Sequence, residues 1–198
     1  MSKKKHHHGD LREALIMAGI EMLEDGGIEA LSLRKCAAKA GVSHAAPAHH
    51  FNGLVSLKAA IIARCYHIFS ETMLTHSRNA KAAPRSQLLA ICEGYLAFCR
   101  AHEPLFQIMF QPKPEDLQQI NPRILEELEK ESTKAFIILQ TACAPFAPVG
   151  AHEQGTEVMV WSLVHGYATL FARQPDGETP AGALPEFANI LPELPLRK

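Results

Sequence analysis

The chain has 198 residues, of which 47% are hydrophobic and 21% are charged, so its composition excludes a disordered protein and supplies enough apolar side chains for a folded core. Its formal net charge of −1 excludes a strongly basic or strongly acidic protein. The charge is uneven, because residues 1–58 hold eight Lys and Arg against six Asp and Glu, whereas residues 59–198 hold twelve against fifteen. A mildly basic N-terminal segment is compatible with a polyanionic partner.

The cysteines and the most apolar stretch indicate the compartment of the protein. Five cysteines, an odd number without a C-x-x-C pair, are typical of reduced thiols in a cytoplasmic protein. The basic run at the N-terminus is not followed by the apolar stretch of a signal peptide, so we do not expect secretion. The most apolar window, Val158–Ala172, is shorter than the ~20 residues that a bilayer requires. It predicts a buried helix and no membrane partner.

Helical periodicity recurs along the whole chain and strand signals are nearly absent, so the sequence predicts an all-α protein of about nine helices. Apolar residues within 11–23 mark one face of a first helix, and Gly26 and Gly27 end it. Ser32 is predicted to cap a short second helix, which ends at Gly41.

A third short helix is predicted from a cap at Ser43 to about His50, although Pro47 lies inside it. If Ser43 is the cap, the proline removes only the first backbone bond of the helix, and if His44 is the cap it removes none. We therefore expect the helix to form with a tightened first turn. Two short helices joined by a glycine-containing turn have the geometry of a helix-turn-helix, which places its second helix in the major groove of DNA.

Most of the helices predicted after residue 53 are longer than those before it. Further helices are predicted over about 54–79, from Leu88 to about His102, across LFQIMF after Pro104, and over about 122–143, 152–173 and 184–191. The nearly continuous apolarity of the helix at 152–173 predicts burial on two sides, by its own domain and by a partner subunit. We divide the chain into an N-terminal arm and helix-turn-helix domain, residues 1–53, and a larger helical ligand-binding and dimerisation domain, residues 54–198.

The segment Gly9–Phe51, GDLREALIMAGIEMLEDGGIEALSLRKCAAKAGVSHAAPAHHF, resembles the DNA-binding domain of the tetracycline-repressor (TetR) family. The peptide VWSLVHGYATL resembles the Trp-His-Gly motif of a C-terminal domain found in many such regulators, and HEPLFQIMF resembles the middle helix of that domain. The resemblance implies a ligand-responsive repressor that binds a palindromic operator in double-stranded DNA as a homodimer. It also implies that the helices at about 152–173 and 184–191 form the dimer contact.

The resemblance, combined with groove chemistry, assigns roles to residues of the small domain. Arg34 and Lys35 are expected to contact phosphates. The Ser43 hydroxyl is expected to meet a phosphate, the His44 imidazole a base edge or a phosphate, and the Ala45 methyl a thymine methyl. The complete predicted DNA-binding set is Lys5, Ser32, Arg34, Lys35, Ser43, His44, Ala45, His49 and His50. Alternatively, the charged residues form an ordinary solvated face, the arm around Lys5 is a solubility tail, and His50 packs against Phe51.

Two positions depart from the family pattern. Ala48 stands where the family usually has a tyrosine, and Leu54 stands where it often has a lysine, so two phosphate contacts are lost. We therefore expect weak or strongly salt-dependent DNA binding. The alternative function is a helical protein that binds a small ligand or a partner and has lost operator binding.

Aromatic and sulfur-containing side chains of the larger domain suit a small apolar effector. The predicted pocket residues are Tyr95, Phe106, Met109, Phe110, Phe136, Leu139, Trp161 and His165. Each of them is also consistent with an ordinary core position. The sequence contains no nucleotide-binding, nucleophile-elbow or zinc motif, so we expect no enzyme, no cofactor, no catalytic residue and no metal site.

Overall fold

The structure is a computed structural model that describes residues 8–110, 118, 120–171, 178–179, 182–183 and 185–198. Within these residues the chain forms eight α-helices, which confirms the all-α prediction. They are α1 (His8–Gly26), α2 (Leu33–Lys39), α3 (Gly53–Arg78), α4 (Pro84–Ala101), α5 (Glu103–Met109), α6 (Pro122–Cys143), α7 (Gly155–Phe171) and α8 (Phe187–Ile190). Two 3₁₀ helices (Ile28–Ala30 and Ala46–His49) and a two-stranded hairpin, β1 (Glu178–Thr179) antiparallel to β2 (Gly182–Ala183), complete the described elements.

The start and the end of α2 follow the sequence prediction. The Ser32 hydroxyl accepts a hydrogen bond from the backbone N–H of Lys35 at 3.2 Å, as an N-cap should. Cys36 and Ala37 are fully buried, so the small residues of this helix face the core. Gly41 has φ +70°, a left-handed conformation that glycine adopts without the steric cost of a Cβ atom.

The third helix of the small domain is not the α-helix that the sequence predicts. The structure has a 3₁₀ helix, Ala46–His49, whose cap position is Ala45 and receives no side-chain hydrogen bond. The prediction that Ser43 caps an α-helix is therefore wrong. Pro47 is buried within this 3₁₀ helix. We call residues 43–49, the exposed turn 43–45 and the 3₁₀ helix after it, the recognition segment.

The proline explains this change of helix type. Because Pro47 has no N–H, it cannot donate the α-helical bond to the carbonyl of Ser43. That carbonyl accepts instead from the N–H of Ala46 at 3.0 Å, and the carbonyl of Pro47 accepts from His50 at 2.9 Å. Both bonds have the i to i+3 spacing of a 3₁₀ helix.

The later helices agree with the predicted periodicity, with small shifts at their ends. α6 spans the predicted 122–143, whereas α7 begins at Gly155 because a turn closed by the hydrogen bond from Gly155 N–H to the His152 carbonyl precedes it. Residues 172–173 and 184 of two predicted helices lie outside the described residues. In the described part of the chain, no helix combines the length and the apolarity needed to cross a membrane.

Backbone contacts group the chain into two compact units. The first unit comprises residues 1–66 and 104–132, and Leu15, Leu23 and Cys36 are among its fully buried side chains. The second unit comprises residues 67–103 and 133–198, with Leu88 and Val164 fully buried. This grouping concerns packing, so the predicted division of function at residue 53 stays a prediction.

Gly94 brings α3 and α4 together in the second unit. A Cβ atom at Gly94 would lie 2.6 Å from the Cα atom of Met73 and 3.0 Å from the carbonyl oxygen of Thr72. Both are backbone atoms, so α3 would have to move. We expect Gly94→Ala to lower the free energy of unfolding by about 1–3 kcal/mol, although alanine is the better helix former by about 1 kcal/mol.

Urea unfolding followed by circular dichroism measures this effect. The matched control is Glu93→Ala, which changes an exposed neighbour on the same helix and should alter the free energy of unfolding by less than about 0.5 kcal/mol. Equal stability of the two variants would contradict the close approach of α3 and α4.

Candidate nucleic-acid interface

Most of the predicted DNA-binding residues of the small domain are accessible. α2 packs against α1 and against the recognition segment, so the two elements predicted to meet DNA are held in one unit. The exposed members of the predicted set are Arg34, Lys35, Ser43, His44, Ala45 and His49. The structure thus presents hydroxyl, imidazole, methyl and cationic groups on neighbouring elements, the mixture that DNA recognition uses.

Arg34 and Lys35, like Lys58, Arg123 and Lys130 of the same unit, have no acidic partner among the described residues, whereas three other cations of the unit are paired. Arg12 pairs with Glu127, Arg64 pairs with an acid of α1, and Lys39, on the same helix as Lys35, pairs with Glu21. The Lys35 ammonium lies 3.4 Å from a backbone carbonyl of the preceding 3₁₀ helix and remains exposed. The unneutralised charges of Arg34 and Lys35 favour an anion as the partner of this face.

Three predicted residues stand apart from that exposed group. The Ser32 hydroxyl is engaged as the cap of α2. His50 is half-buried, and its ring lies 6.4 Å from the ring of Phe51 between centroids, in line with the alternative that it packs within the small domain. Lys5 lies outside the described residues.

Arg12 makes contacts beside the recognition segment that the sequence did not reveal. Its guanidinium lies over the ring of Phe51, 5.9 Å from the centroid, and donates a hydrogen bond of 2.5 Å to the carboxylate of Glu127 in α6. A guanidinium at this distance from an aromatic face is attracted by the ring. The Phe51 N–H donates to the carbonyl of Pro47, so Arg12 contacts the residue that is bonded to the end of the recognition segment.

The predicted effector-binding residues fall into both units. Phe106, Met109 and Phe110 belong to the first unit, where the rings of Phe106 and Phe110 lie 5.0 Å apart between centroids. The hydroxyl of Tyr66 donates to the carbonyl of Met109 at 3.4 Å, and its ring meets that of Phe110 edge-on. These side chains form an aromatic cluster with a polar edge.

The other five predicted residues belong to the second unit. Tyr95 and His165 share a hydrogen bond of 2.7 Å, and burial lowers the pKa of His165, which favours its neutral imidazole. The rings of Phe136 and Trp161 lie 5.6 Å apart, and both side chains are partly exposed, whereas Leu139 is buried. The contact role of these residues stays a prediction.

The five cysteines are free and buried. Burial raises the pKa of the Cys65 thiol to about 12 and raises the pKa of the other four thiols as well. Protonated, inaccessible thiols react slowly with electrophiles and oxidants. Within the described residues, no cluster of three or more His, Cys, Asp or Glu side chains has the arrangement of a metal site.

Solved structures share this fold. The chain matches a protein of unknown function from Rhodococcus sp. RHA1 at 27% identity, with a TM-score of 0.64 over 86% of this chain and 87% of that one. It matches the TetR family transcriptional regulator PfmR from Thermus thermophilus at 16% identity, with a TM-score of 0.59 over 81% and 85% of the two chains. A TetR-like transcriptional regulator from Rhodococcus sp. RHA1 matches at 19% identity, with a TM-score of 0.56 over 85% and 86%.

The family comparison agrees with the fold. No curated protein sequence matches the chain significantly. Residues 88–184 match the family model of the tetracyclin repressor-like C-terminal domain, which leaves the finer Trp-His-Gly assignment a prediction. The chain has a TetR-type C-terminal domain after an N-terminal unit with a helix-turn-helix arrangement, and it shares its fold with TetR regulators. It therefore belongs to the TetR family.

Proposed function

We propose that the protein is a ligand-responsive transcriptional repressor that binds a palindromic DNA operator as a homodimer. Each subunit would place its recognition segment in the major groove and hold the flanking phosphates through α2. Half-sites about one helical turn apart, ~34 Å, would match the two-fold symmetry of the dimer. The role involves binding and release of DNA and no chemical transformation.

The observation that carries this proposal is the pair of unneutralised cations on α2. Arg34 and Lys35 are exposed beside the recognition segment, whereas the neighbouring Lys39 is neutralised by Glu21 at 3.0 Å. Because each cation that meets a phosphate releases a condensed counterion, this pair adds affinity that depends on salt. The exposed His44 is the residue of the recognition segment that we assign to a base edge.

The exposed face of α7 supports a homodimer. Its inner face buries Val160, Val164 and Ala168, whereas Val158 and Leu170 on other faces are 56% and 68% exposed. A contiguous patch of exposed apolar side chains on a helix is a surface that a partner subunit can cover. The terminal helix α8 buries its phenylalanine in its own chain, so α7 is the stronger candidate for the dimer contact.

The glycine of α7 is consistent with close approach of a second helix. An added Cβ atom at Gly166 would meet nothing within 4 Å, so this position leaves room on the surface of the helix. Small residues let the backbones of two helices come near each other.

The effector is proposed to be a small apolar molecule that contacts the predicted aromatic residues of the second unit. The hydrogen bond between His165 and Tyr95 and the partly exposed pair Phe136 and Trp161 support this class of ligand. Aromatic walls with one or two hydrogen-bonding groups are typical of sites for such molecules.

A second candidate function follows from the recognition segment. A four-residue 3₁₀ helix is shorter than the α-helix that usually enters the major groove, and Ala48 offers no hydroxyl to a phosphate. In this second function the protein keeps dimerisation and ligand binding but no longer recognises an operator.

Fluorescence anisotropy with the DNA that flanks the gene, against scrambled DNA of equal length, distinguishes the two functions. A repressor should prefer its own DNA by about 10³-fold or more. If about six phosphates are contacted, its affinity should fall by about 10³-fold between 50 and 200 mM salt. Equal and weak binding to both DNAs would reject operator recognition and favour the second function.

A further inference from the structure

The cationic character of the small domain continues past the recognition segment into α3. Residues 30–70 contain no Asp or Glu and five Lys or Arg. Two of these five, Lys39 and Arg64, are neutralised by acidic residues of α1. The other three form no ion pair with the described residues, and they are Arg34, Lys35 and Lys58. Lys58 is therefore the one cation of this acid-free stretch that is unneutralised and lies outside α2.

Lys58 lies near the start of α3, which closely follows the recognition segment. Three residues, 50–52, separate the two elements, and all of them belong to the first unit. The Phe51 N–H donates to the carbonyl of Pro47 at 2.9 Å, and the Gly53 N–H donates to the carbonyl of Phe51 at 2.9 Å. These two bonds hold the short connection tightly, so the first turn of α3 lies beside the end of the recognition segment.

The burial of α3 determines where the Lys58 ammonium can lie. Residues 59–63 are all buried, whereas Leu54 and Val55, on the turn before Lys58, are half-buried. Side chains of an α-helix tilt toward its N-terminus, so that of Lys58 covers the turn before it. A four-carbon stem spans one helical turn, ~5.4 Å, and keeps its charged end in water. The ammonium is thus carried toward the start of α3, the end beside the recognition segment.

The other two unneutralised cations of the first unit have a different setting. Arg123 and Lys130 lie on α6, where residues 123–131 hold four glutamates against two cations. A polyanion that approaches this part of α6 meets a net negative charge, whereas one that approaches Lys58 meets a positive charge in an acid-free stretch. Lys58 is therefore better suited than these two residues to bind a phosphate.

We infer that Lys58 binds a phosphate of double-stranded DNA, as a third backbone contact of each subunit beside Arg34 and Lys35. This inference rests on the DNA binding that the proposed function requires. α2 before the recognition segment and α3 after it would then both hold the DNA backbone. Because a phosphate contact carries no direct sequence information, Lys58 should add affinity for any duplex, operator or not.

Fluorescence anisotropy of the full chain with the DNA that flanks the gene and with scrambled DNA, between 50 and 200 mM salt, tests this contact. Lys58→Gln removes the charge and keeps much of the stem. It should weaken binding to both DNAs by about tenfold or more, and the slope of log affinity against log salt should become shallower by about 2, one phosphate per subunit of a dimer. Lys58→Arg keeps a cation and should keep the slope of the wild-type protein.

Lys130→Gln is the matched control. It removes the same charge from an exposed position of the same unit and should leave both affinity and slope nearly unchanged. Lys58→Met, which preserves the apolar packing of the stem, separates loss of charge from loss of stability. It should show the same shallower slope as Lys58→Gln, with the circular dichroism spectrum of the wild-type protein.

The outcomes separate this inference from the proposed function. A folded Lys58→Gln or Lys58→Met with the slope of the wild-type protein would overturn the inference, as would an equal loss of slope in Lys130→Gln. If the wild-type protein binds both DNAs equally but loses slope in Lys58→Gln, operator recognition is rejected and the phosphate contact stands. A wild-type protein without salt-dependent affinity for either DNA would reject both.

Discussion

Replacing Val158 and Leu170 together with glutamate should convert the protein into monomers and reduce operator affinity by about 10³-fold or more. Both side chains are more than half exposed on α7, so the charges should not disturb the fold of a single chain. At a dimer contact, however, each new carboxylate would be buried without a counter-charge. A monomer binds only one half-site at a time, so its affinity for the operator should approach that of non-specific binding.

Light scattering after size exclusion and anisotropy with the operator measure the two parts of this effect. The wild-type mass should be twice the chain mass of 21.8 kDa, and that of the double variant should equal it. Val149→Glu is the control, because Val149 is also partly exposed in the second unit but lies outside α7. A double variant that keeps the dimer mass would show that the subunits meet elsewhere.

Removing both unneutralised cations of α2 should weaken DNA binding by more than about 100-fold. Arg34→Ala combined with Lys35→Ala removes up to four phosphate contacts from a dimer, so the slope of log affinity against log salt should become shallower by about 4. Lys39→Ala removes a charge from the same helix, but that charge is already paired with Glu21. The control should therefore leave affinity and slope nearly unchanged.

Anisotropy at several salt concentrations checks this prediction. A double variant with the slope of the wild-type protein would mean that α2 does not face the phosphates. His44→Ala provides a complementary readout, because a base contact carries specificity. It should reduce the preference for operator over scrambled DNA by about tenfold while leaving the salt slope largely unchanged.

The features determined by near neighbours in the chain were predictable. The cap at Ser32, the turn at Gly41 and the span of α6 depend on groups three or four residues apart, and all three appear in the structure as predicted. The all-α class follows from the same local periodicity, repeated along the chain.

The recognition segment shows where local reasoning fails. Pro47 lacks one backbone donor, as the sequence predicts, yet the segment forms a 3₁₀ helix instead of a tightened α-helix. The helix between Gly41 and Gly53 has only four residues, so a single lost bond is a large share of what such a short helix can form. Whether the remaining bonds keep α-helical spacing then depends on how the buried proline packs.

The amino-acid sequence by itself determined the helical class, the order and approximate bounds of the helices, and the mixture of groups around residues 32–50 that resembles a DNA-binding domain. Only the tertiary structure decided which Arg and Lys side chains form an ion pair with an acidic side chain and which do not. Arg12 forms an ion pair with Glu127, which lies 115 residues away along the chain, whereas Arg34 forms no ion pair with the described residues. It also brought the ends of α3, α4 and α6 together around an open cleft in the second unit. Periodicity encodes which face of a helix is apolar, whereas partner choice depends on packing between distant segments.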